Sequence, residues 1–117
     1  MSKKSHKIYL IHCKVINLYK IGISINPRKR LKQLQTGTPY ELSILYLHES
    51  ECAYKIEKIL HNKFASKKVA ENFRFDFERL IGEWFELSTK DVLSFEDNCK
   101  KIEETIEILK KSGNPFV

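Results

Sequence analysis

Acidic residues are missing from the first third of the chain. Residues 1–40 contain no Asp or Glu, and Glu41 is the first carboxylate. The same forty residues carry nine Lys or Arg, whereas the remaining 77 residues carry 12 basic and 15 acidic side chains. Within a chain of net charge +6, this asymmetry is typical of a protein that binds an anionic partner, most often a nucleic acid. A solvated, lysine-rich surface is the alternative interpretation.

Paired cysteines and long apolar runs are also lacking. The three cysteines stand far apart without a C-x-x-C pair, so neither a disulfide framework nor a zinc site is expected. No apolar run approaches the roughly 20 residues that a membrane helix requires. His12 and Lys14 interrupt the apolar N-terminal run, and no small-residue cleavage site follows, which argues against a signal peptide. We expect an intracellular protein without a membrane partner: cytoplasmic, or nuclear or in a viral factory if the source is eukaryotic or viral.

The length of 117 residues fits one domain, and the apolar patterns predict a small α+β fold. Short β-rich runs predict strands at 7–12, 19–24 and 41–48. A helix is predicted from Pro27 to Thr36 with Asn26 as its N-cap, because Pro favours the first helical position. A second helix is predicted over 51–66 with Ser50 as its N-cap. Residues 67–82 do not allow an assignment, and 83–88 are predicted to form a short strand with Trp84 and Phe85 in the core.

The chain from Thr89 onward predicts one long amphipathic helix that Gly113 helps to end. Its apolar residues recur at helical spacing: Val92, Phe95, Cys99, Ile102, Ile106 and Leu109. Its outer face is acidic, which disfavours contact with phosphates. The expected architecture is a three-stranded antiparallel sheet flanked by helices. Residues 1–88 are expected to form the domain, with 89–117 a helix packed on it or at a dimer interface.

Glu57 is the most unusual residue of the second predicted helix. It falls within the apolar stripe that runs from Ala53 to Phe64, where a carboxylate is unfavourable unless it is paired or binds a metal. His61 lies one turn further along, on the same side. Two interpretations remain open. Glu57 is either an edge residue paired with a lysine or His61, or a metal-binding carboxylate in a shallow cleft.

Basic residues crowd the start of the first predicted helix. Arg28 and Arg30 flank its apolar seam on opposite sides, whereas Lys29 and Lys32 point away from it. An arginine beside the seam presents a guanidinium fork to a phosphate, and the helix N-terminus adds a field that favours anions. Helix geometry alone does not choose between Arg28 and Arg30. We expect Arg28, Lys29, Lys32 and Lys14 to bind the nucleic-acid backbone.

Tyr9 lies in the middle of the first predicted strand and has two interpretations. Most tyrosines in such positions are half-buried packing residues. A phenol close to a metal and a basic cluster would instead serve as a general base or hold a water molecule.

Several short motifs, in this order and spacing, resemble the GIY-YIG nuclease superfamily. "KIY" at 7–9 and "KIG" at 20–22 resemble its two signatures, and Arg30 follows Gly22 at the spacing of the family's arginine. Glu57, in "AYKIEKILHNKF", lies in a helix similar to the one that holds the family's metal-binding glutamate. "GEWFEL" at 82–87 resembles the closing motif of a phage-associated branch, which also has a histidine at the His61 position. The resemblance covers residues 7 to about 88.

The resemblance implies an endonuclease that hydrolyses DNA phosphodiester bonds with Mg²⁺ or Mn²⁺. Glu57 would hold the metal, Arg30 would clamp the scissile phosphate, and Tyr9 would deprotonate or orient the attacking water. His61 would assist as a proton carrier or hydrogen-bond donor. A catalytic domain of this size has little surface for reading sequence. Specificity would then come from a homodimer, an accessory protein or a structured substrate.

Some residues depart from the family pattern. Lys20 stands where the second signature has a tyrosine, and the adjacent Tyr19 would point to the opposite face of its strand. Lys20 would then contact phosphate or lower the pKa of Tyr9. Asn72 and Glu83 are both candidates for the family's late asparagine. The alternative function is a catalytically inactive module that binds nucleic acid or protein through the same basic face.

Overall fold

A computed structural model describes residues 5–69 and 83–113. The strands are antiparallel, in the order β2–β1–β3: β1 (His6–Cys13), β2 (Leu18–Ser24) and β3 (Leu42–Ser50). The helices, with a 3₁₀ turn at Ala65–Lys67, are α1 (Pro27–Thr36), α2 (Ala53–Lys63), α3 (Thr89–Leu93) and α4 (Phe95–Lys111). The predicted α+β fold, with its three-stranded sheet, flanking helices and C-terminal helix, is confirmed.

The central strand β1 is apolar on both faces, which explains why helices cover both sides of the sheet. Ile8 and Leu10 face α2 and α4, and they pack in one cluster of buried residues with Ile56 and Phe95. Tyr9, Ile11 and Cys13 face the other way and pack in a second cluster with Leu34 of α1 and with Trp84. Two layers of buried side chains therefore lie on opposite faces of the sheet.

Helix α1 begins where its sequence predicts. The side chain of Asn26 accepts a hydrogen bond from the backbone N–H of Lys29 at 3.2 Å, and Pro27 occupies the first helical position. Gly37 follows Thr36 as the C-cap. Because these signals are local, the sequence was sufficient to place this helix.

The start of α2 differs from the prediction. Ser50 is the last residue of β3, and its Oγ accepts a hydrogen bond from the Cys52 backbone N–H at 3.1 Å. The hydroxyl thus stabilises a turn between strand and helix. Cys52 takes the N-cap position, so α2 begins at Ala53 and ends at Lys63. The prediction of Ser50 as the N-cap was wrong.

The segment around Phe85 forms a single antiparallel bridge with β2 and not the short strand that was predicted over 83–88. The backbone N–H and C=O of Tyr19 bond those of Phe85 at 2.9 and 2.8 Å, and Phe85 also forms a bridge with Lys68. Trp84 and Phe85 are buried, as expected of core residues. Residues 70–82 lie outside the described part of the chain.

The predicted C-terminal helix is divided into α3 and α4. Ser88 and Asp91 form a capping box that starts α3, and Asp91 pairs with Lys67. Ser94 Oγ then donates a hydrogen bond to the Lys90 carbonyl at 2.8 Å, and α4 begins at Phe95. Such a back-bond bends helices, which explains why one continuous helix was the wrong prediction. Among the described residues, no helix is long and apolar enough to cross a membrane.

Helix α4 packs on β3 and α2 through Phe95, Cys99 and Ile106, which are buried in the same cluster as the sheet residues. Phe95 is 0% exposed, so Phe95→Ala is expected to lower the free energy of unfolding by about 3–5 kcal/mol. Leu93→Ala, at a position that is 71% exposed, is the control and is expected to change it by less than about 0.5 kcal/mol. Urea denaturation measures both. Equal effects would contradict the contribution of α4 to the core.

Candidate active site

A pocket of about 360 Å³ lies at the edge of β2, beyond the rung formed by Phe85. It is lined by Tyr9, Lys20, Ile21, Gly22, Ile23, Arg30, Glu57, His61 and Glu83. These residues come from all layers of the fold because β2 is the edge at which the two helical layers meet. The structure thus brings together the five residues that the sequence suggested for chemistry: Tyr9, Lys20, Arg30, Glu57 and His61.

Tyr9 reaches the pocket across Gly22. The two residues lie directly opposite each other in the β1–β2 ladder. A Cβ atom at position 22 would lie 2.3 Å from the Tyr9 hydroxyl oxygen and 2.4 Å from Cζ, which no real contact tolerates. Glycine at this position therefore leaves the space that the phenol ring occupies.

Tyr9 is 2% exposed, and the pKa of its phenol is raised above the ordinary value. Burial disfavours the phenolate more strongly than the hydrogen bond and the positive charge of Arg30 favour it, and the negative charge of Glu57 raises the pKa further. Tyr9 is consequently a protonated phenol at neutral pH. The shift is accounted for by burial, Arg30 and Glu57, and Lys20, which we expected to lower this pKa, is not among its causes.

Lys20 lies on the Tyr9 side of β2 and is only 7% exposed. Its Nζ lies 5.8 Å from the centroid of the Trp84 ring. Burial lowers the pKa of Lys20 and the positive charge of Arg30 lowers it further, while Glu83 and Glu57 act in the opposite direction. Tyr19, on the other face, stacks on His12 with ring centroids 4.4 Å apart. Tyr19 thus does not replace the missing tyrosine of the second signature.

Tertiary structure decides between the two arginines of α1. Arg30 is half-buried and lines the pocket, whereas Arg28 is exposed and lies outside the set of lining residues. Arg30 also lines a neighbouring cavity together with Lys29. Lys32 and Lys14 are exposed, and neither lines the pocket. Arg30 therefore enters the pocket from α1, whereas Arg28, Lys32 and Lys14 lie on the surface.

Glu57 lines the pocket as a partly exposed carboxylate. Among residues 5–69 and 83–113, Glu57 forms no ion pair. His61, one of the partners considered for it, bonds Glu83 instead. A carboxylate oxygen is a ligand that Mg²⁺ prefers, and Mg²⁺ commonly uses one or two carboxylates together with water and phosphate oxygens. The described residues hold no group of three His, Cys, Asp or Glu arranged for a metal. A Mg²⁺ held by Glu57 would therefore take most of its ligands from water and substrate.

His61 is held at both ring nitrogens. Its Nε2 lies 2.8 Å from the Ile21 carbonyl oxygen, which only accepts, so Nε2 donates. Its Nδ1 lies 3.0 Å from Glu83 Oε2, and its ring packs edge-on against Phe85 with centroids 5.1 Å apart. The His61 side chain thus bonds the backbone of β2 two residues beyond Tyr19, which pairs with Phe85.

Glu83 bridges His61 and Lys68. Its second carboxylate oxygen accepts a hydrogen bond from Lys68 Nζ at 3.0 Å. This hydrogen bond lowers the pKa of Glu83, and the one to His61 lowers it further, against the opposing effect of burial. Lys68 comes close because Val69 N–H bonds the Trp84 carbonyl at 2.8 Å. No sequence signal identified Lys68, since the contact depends on this pairing. Asn72, the other candidate for the family's asparagine, lies outside the described residues.

Glu83 is expected to contribute to the pH dependence of stability. Its pKa is lower in the folded chain than in the unfolded one, so its contribution is present above the unfolded value of about 4.3 and disappears as the pH falls through the folded pKa. The effect is small because the side chain is 49% exposed. The melting temperatures of the wild type and Glu83→Gln should differ at pH 7 and converge as the pH falls through the folded pKa of Glu83. A difference that stays constant with pH would contradict this expectation.

The fold and the pocket describe a small α+β domain with a basic, carboxylate-containing site at a sheet edge. The family model of the T5orf172 domain matches residues 5–106, which is most of the chain. The chain therefore belongs to the T5orf172 domain family, a phage-associated domain related to GIY-YIG and HNH-like nucleases. Membership indicates a nuclease-like or DNA-binding role. No curated protein and no solved structure matches the chain.

Proposed function

We propose that this protein is a metal-dependent DNA endonuclease of the GIY-YIG type. One observation carries the proposal: Tyr9, Arg30 and Glu57, from β1, α1 and α2, line the same pocket. A phenol, a guanidinium and a carboxylate in one open cavity provide the groups needed to orient water, bind a phosphate and bind a divalent cation. Membership of a nuclease-related family supports the same chemistry.

Arg30 is proposed to bind the scissile phosphate. Its planar guanidinium donates two parallel hydrogen bonds to phosphate oxygens and stabilises the negative charge that grows on them during hydrolysis. Partial burial strengthens this interaction because less water screens it. Exposed Arg28, Lys29, Lys32 and Lys14 are proposed to bind neighbouring phosphates and to make binding dependent on salt.

Glu57 is proposed to hold the metal, Mg²⁺ or Mn²⁺. Its carboxylate is available for this role because it lies in the pocket without an ion pair to any described residue. A divalent cation held there would stabilise the negative charge that develops at the phosphate and the leaving oxygen.

Tyr9 is proposed to orient the attacking water. Its raised pKa keeps the phenol protonated before substrate binds, so its oxygen accepts a hydrogen bond from water while its proton remains in place. The positive charge of Arg30 near this oxygen is what favours loss of the proton during the reaction. Sequence specificity is proposed to come from a second copy, an accessory protein or a structured substrate.

Nicking of supercoiled plasmid DNA tests the proposal. The wild type is expected to nick with Mg²⁺ or Mn²⁺ and to stop when EDTA is added. Glu57→Ala and Arg30→Ala are expected to lose nicking by at least about 100-fold. Glu104→Ala, which removes an exposed acid of α4 outside the pocket, is the control and should nick like the wild type.

Two other outcomes would reject the nuclease. Equal nicking by all four proteins would point to a contaminant or to a different site. Absence of nicking by the wild type, with salt-sensitive retardation of DNA, would favour the inactive binding module. The replacement of the second-signature tyrosine by Lys20 would then be the first explanation to test.

A further inference from the structure

We propose that Glu83 is a positioning residue of this site: by holding His61 against the edge of β2, it fixes the turn of α2 that carries Glu57. The inference rests on the proposed function, because Glu57 is the metal ligand in that function. It assigns a role to the glutamate of the "GEWF" motif and gives His61 a role other than proton transfer.

The carboxylate of Glu83 joins two parts of the chain that approach β2 separately. Oε2 bonds His61 of α2 at 3.0 Å, and Oε1 bonds Lys68 at 3.0 Å. Lys68 is itself fixed, because its backbone forms an antiparallel bridge with Phe85, which pairs with β2. Glu83 therefore connects α2 to a rigid support.

His61 transmits this connection to the sheet. Its ring is held at Nδ1 by Glu83 and at Nε2 by the Ile21 carbonyl, with the Phe85 ring packed edge-on against it. An imidazole bonded at both nitrogens cannot rotate, whereas one bonded at a single nitrogen can. Glu57 precedes His61 by one helical turn and lines the same pocket, so the fixed ring sets how closely Glu57 approaches β2.

The same geometry argues against proton transfer by His61. Both ring nitrogens already have protein partners, which leaves neither one directed at a water molecule in the pocket. Outer partners that orient a ligand-bearing element commonly change metal affinity or activity by about 10–100-fold when they are removed. We therefore expect Glu83 to affect the metal requirement more than the binding of DNA.

Metal titration of Glu83 variants tests the inference with two readouts. The first is the Mn²⁺ concentration at which the NMR amide signals of residues around Glu57 reach half of their maximal broadening. This measurement does not depend on catalysis. The second is the Mg²⁺ concentration for half-maximal nicking. Glu83→Ala is expected to raise both concentrations about tenfold or more. Glu83→Gln, whose amide still bonds the ring and Lys68, should stay within about twofold of the wild type.

Controls separate positioning from stability. Glu86→Ala removes an exposed acid three residues further along and should leave both concentrations unchanged. Gel retardation in metal-free buffer should also be equal for all variants. If Glu83→Ala has the same Mn²⁺ midpoint as the wild type, the inference is overturned. A lower melting temperature alone would show only that Glu83 stabilises the fold.

The Mn²⁺ measurement on the wild type distinguishes a failure of this inference from a failure of the proposed nuclease function. A wild type that binds Mn²⁺ around Glu57 but does not nick would reject the nuclease, and a shifted midpoint in Glu83→Ala would still support positioning. A wild type without Mn²⁺ broadening around Glu57 would overturn both.

Discussion

Gly22→Ala is expected to reduce nicking by at least about 100-fold. The added methyl group would lie 2.3 Å from the Tyr9 hydroxyl oxygen, so the phenol ring has to leave its place in the pocket. A displacement of this size misplaces the group that orients water and moves the phenol oxygen away from the positive charge of Arg30. The free energy of unfolding should also fall by about 1–3 kcal/mol, as expected of a crowded core position.

A double-mutant cycle shows whether the methyl group acts through Tyr9. In a Tyr9→Ala background the ring is absent, so Gly22→Ala should change the free energy of unfolding by less than about 0.5 kcal/mol. Urea denaturation of the four proteins measures this coupling. The same stability loss in both backgrounds would show that the backbone of β2, and not the phenol, requires glycine at this position.

Arg30→Lys is expected to reduce nicking by about 100- to 1,000-fold while DNA retardation changes little. Lysine keeps the positive charge but lacks the planar fork that bonds two phosphate oxygens at once. Because Arg30 is half-buried in the pocket, an ammonium group there is also poorly hydrated. The loss should therefore appear in the rate at saturating DNA, with little change in the DNA concentration required.

Arg28→Lys is the matched comparison, since Arg28 lies on the same helix but is exposed and outside the pocket lining. It keeps the charge that an exposed backbone contact requires, so its effect on the rate should be far smaller than that of Arg30→Lys. Equal losses in the two variants would contradict the assignment of the phosphate clamp to Arg30. Rate measurements over a range of DNA concentrations provide the comparison.

Local signals made much of the fold predictable. Asn26 and Pro27 define the start of α1 through interactions within one turn, and the structure agrees with the prediction. The predictions failed where a hydroxyl had two competing partners. Ser50 stabilises a turn before α2 instead of capping the helix, and Ser94 bonds back to the Lys90 carbonyl and divides the last helix. Sequence alone does not show which of these local bonds prevails.

The candidate site was predictable in its residue types and less so in its geometry. Glu57 was conspicuous as a carboxylate on an apolar stripe, and it lies in the pocket. The choice of Arg30 over Arg28 needed the position of α1 on the sheet. The hydrogen bonds from Glu83 to His61 and Lys68 form because the segments around Lys68 and Phe85 pair beside β2. The periodicity of the sequence does not predict this pairing.

Non-additivity of two substitutions tests most directly whether a single site performs the reaction. Nicking rates would be measured for Glu57→Gln, Arg30→Lys and the double variant, with gel retardation to confirm that each protein binds DNA. If both residues act on the same phosphate, the double variant should nick no more slowly than the slower single variant, because residues that act as a unit do not contribute independently. Losses that multiply in the double variant would contradict a single site formed by Glu57 and Arg30.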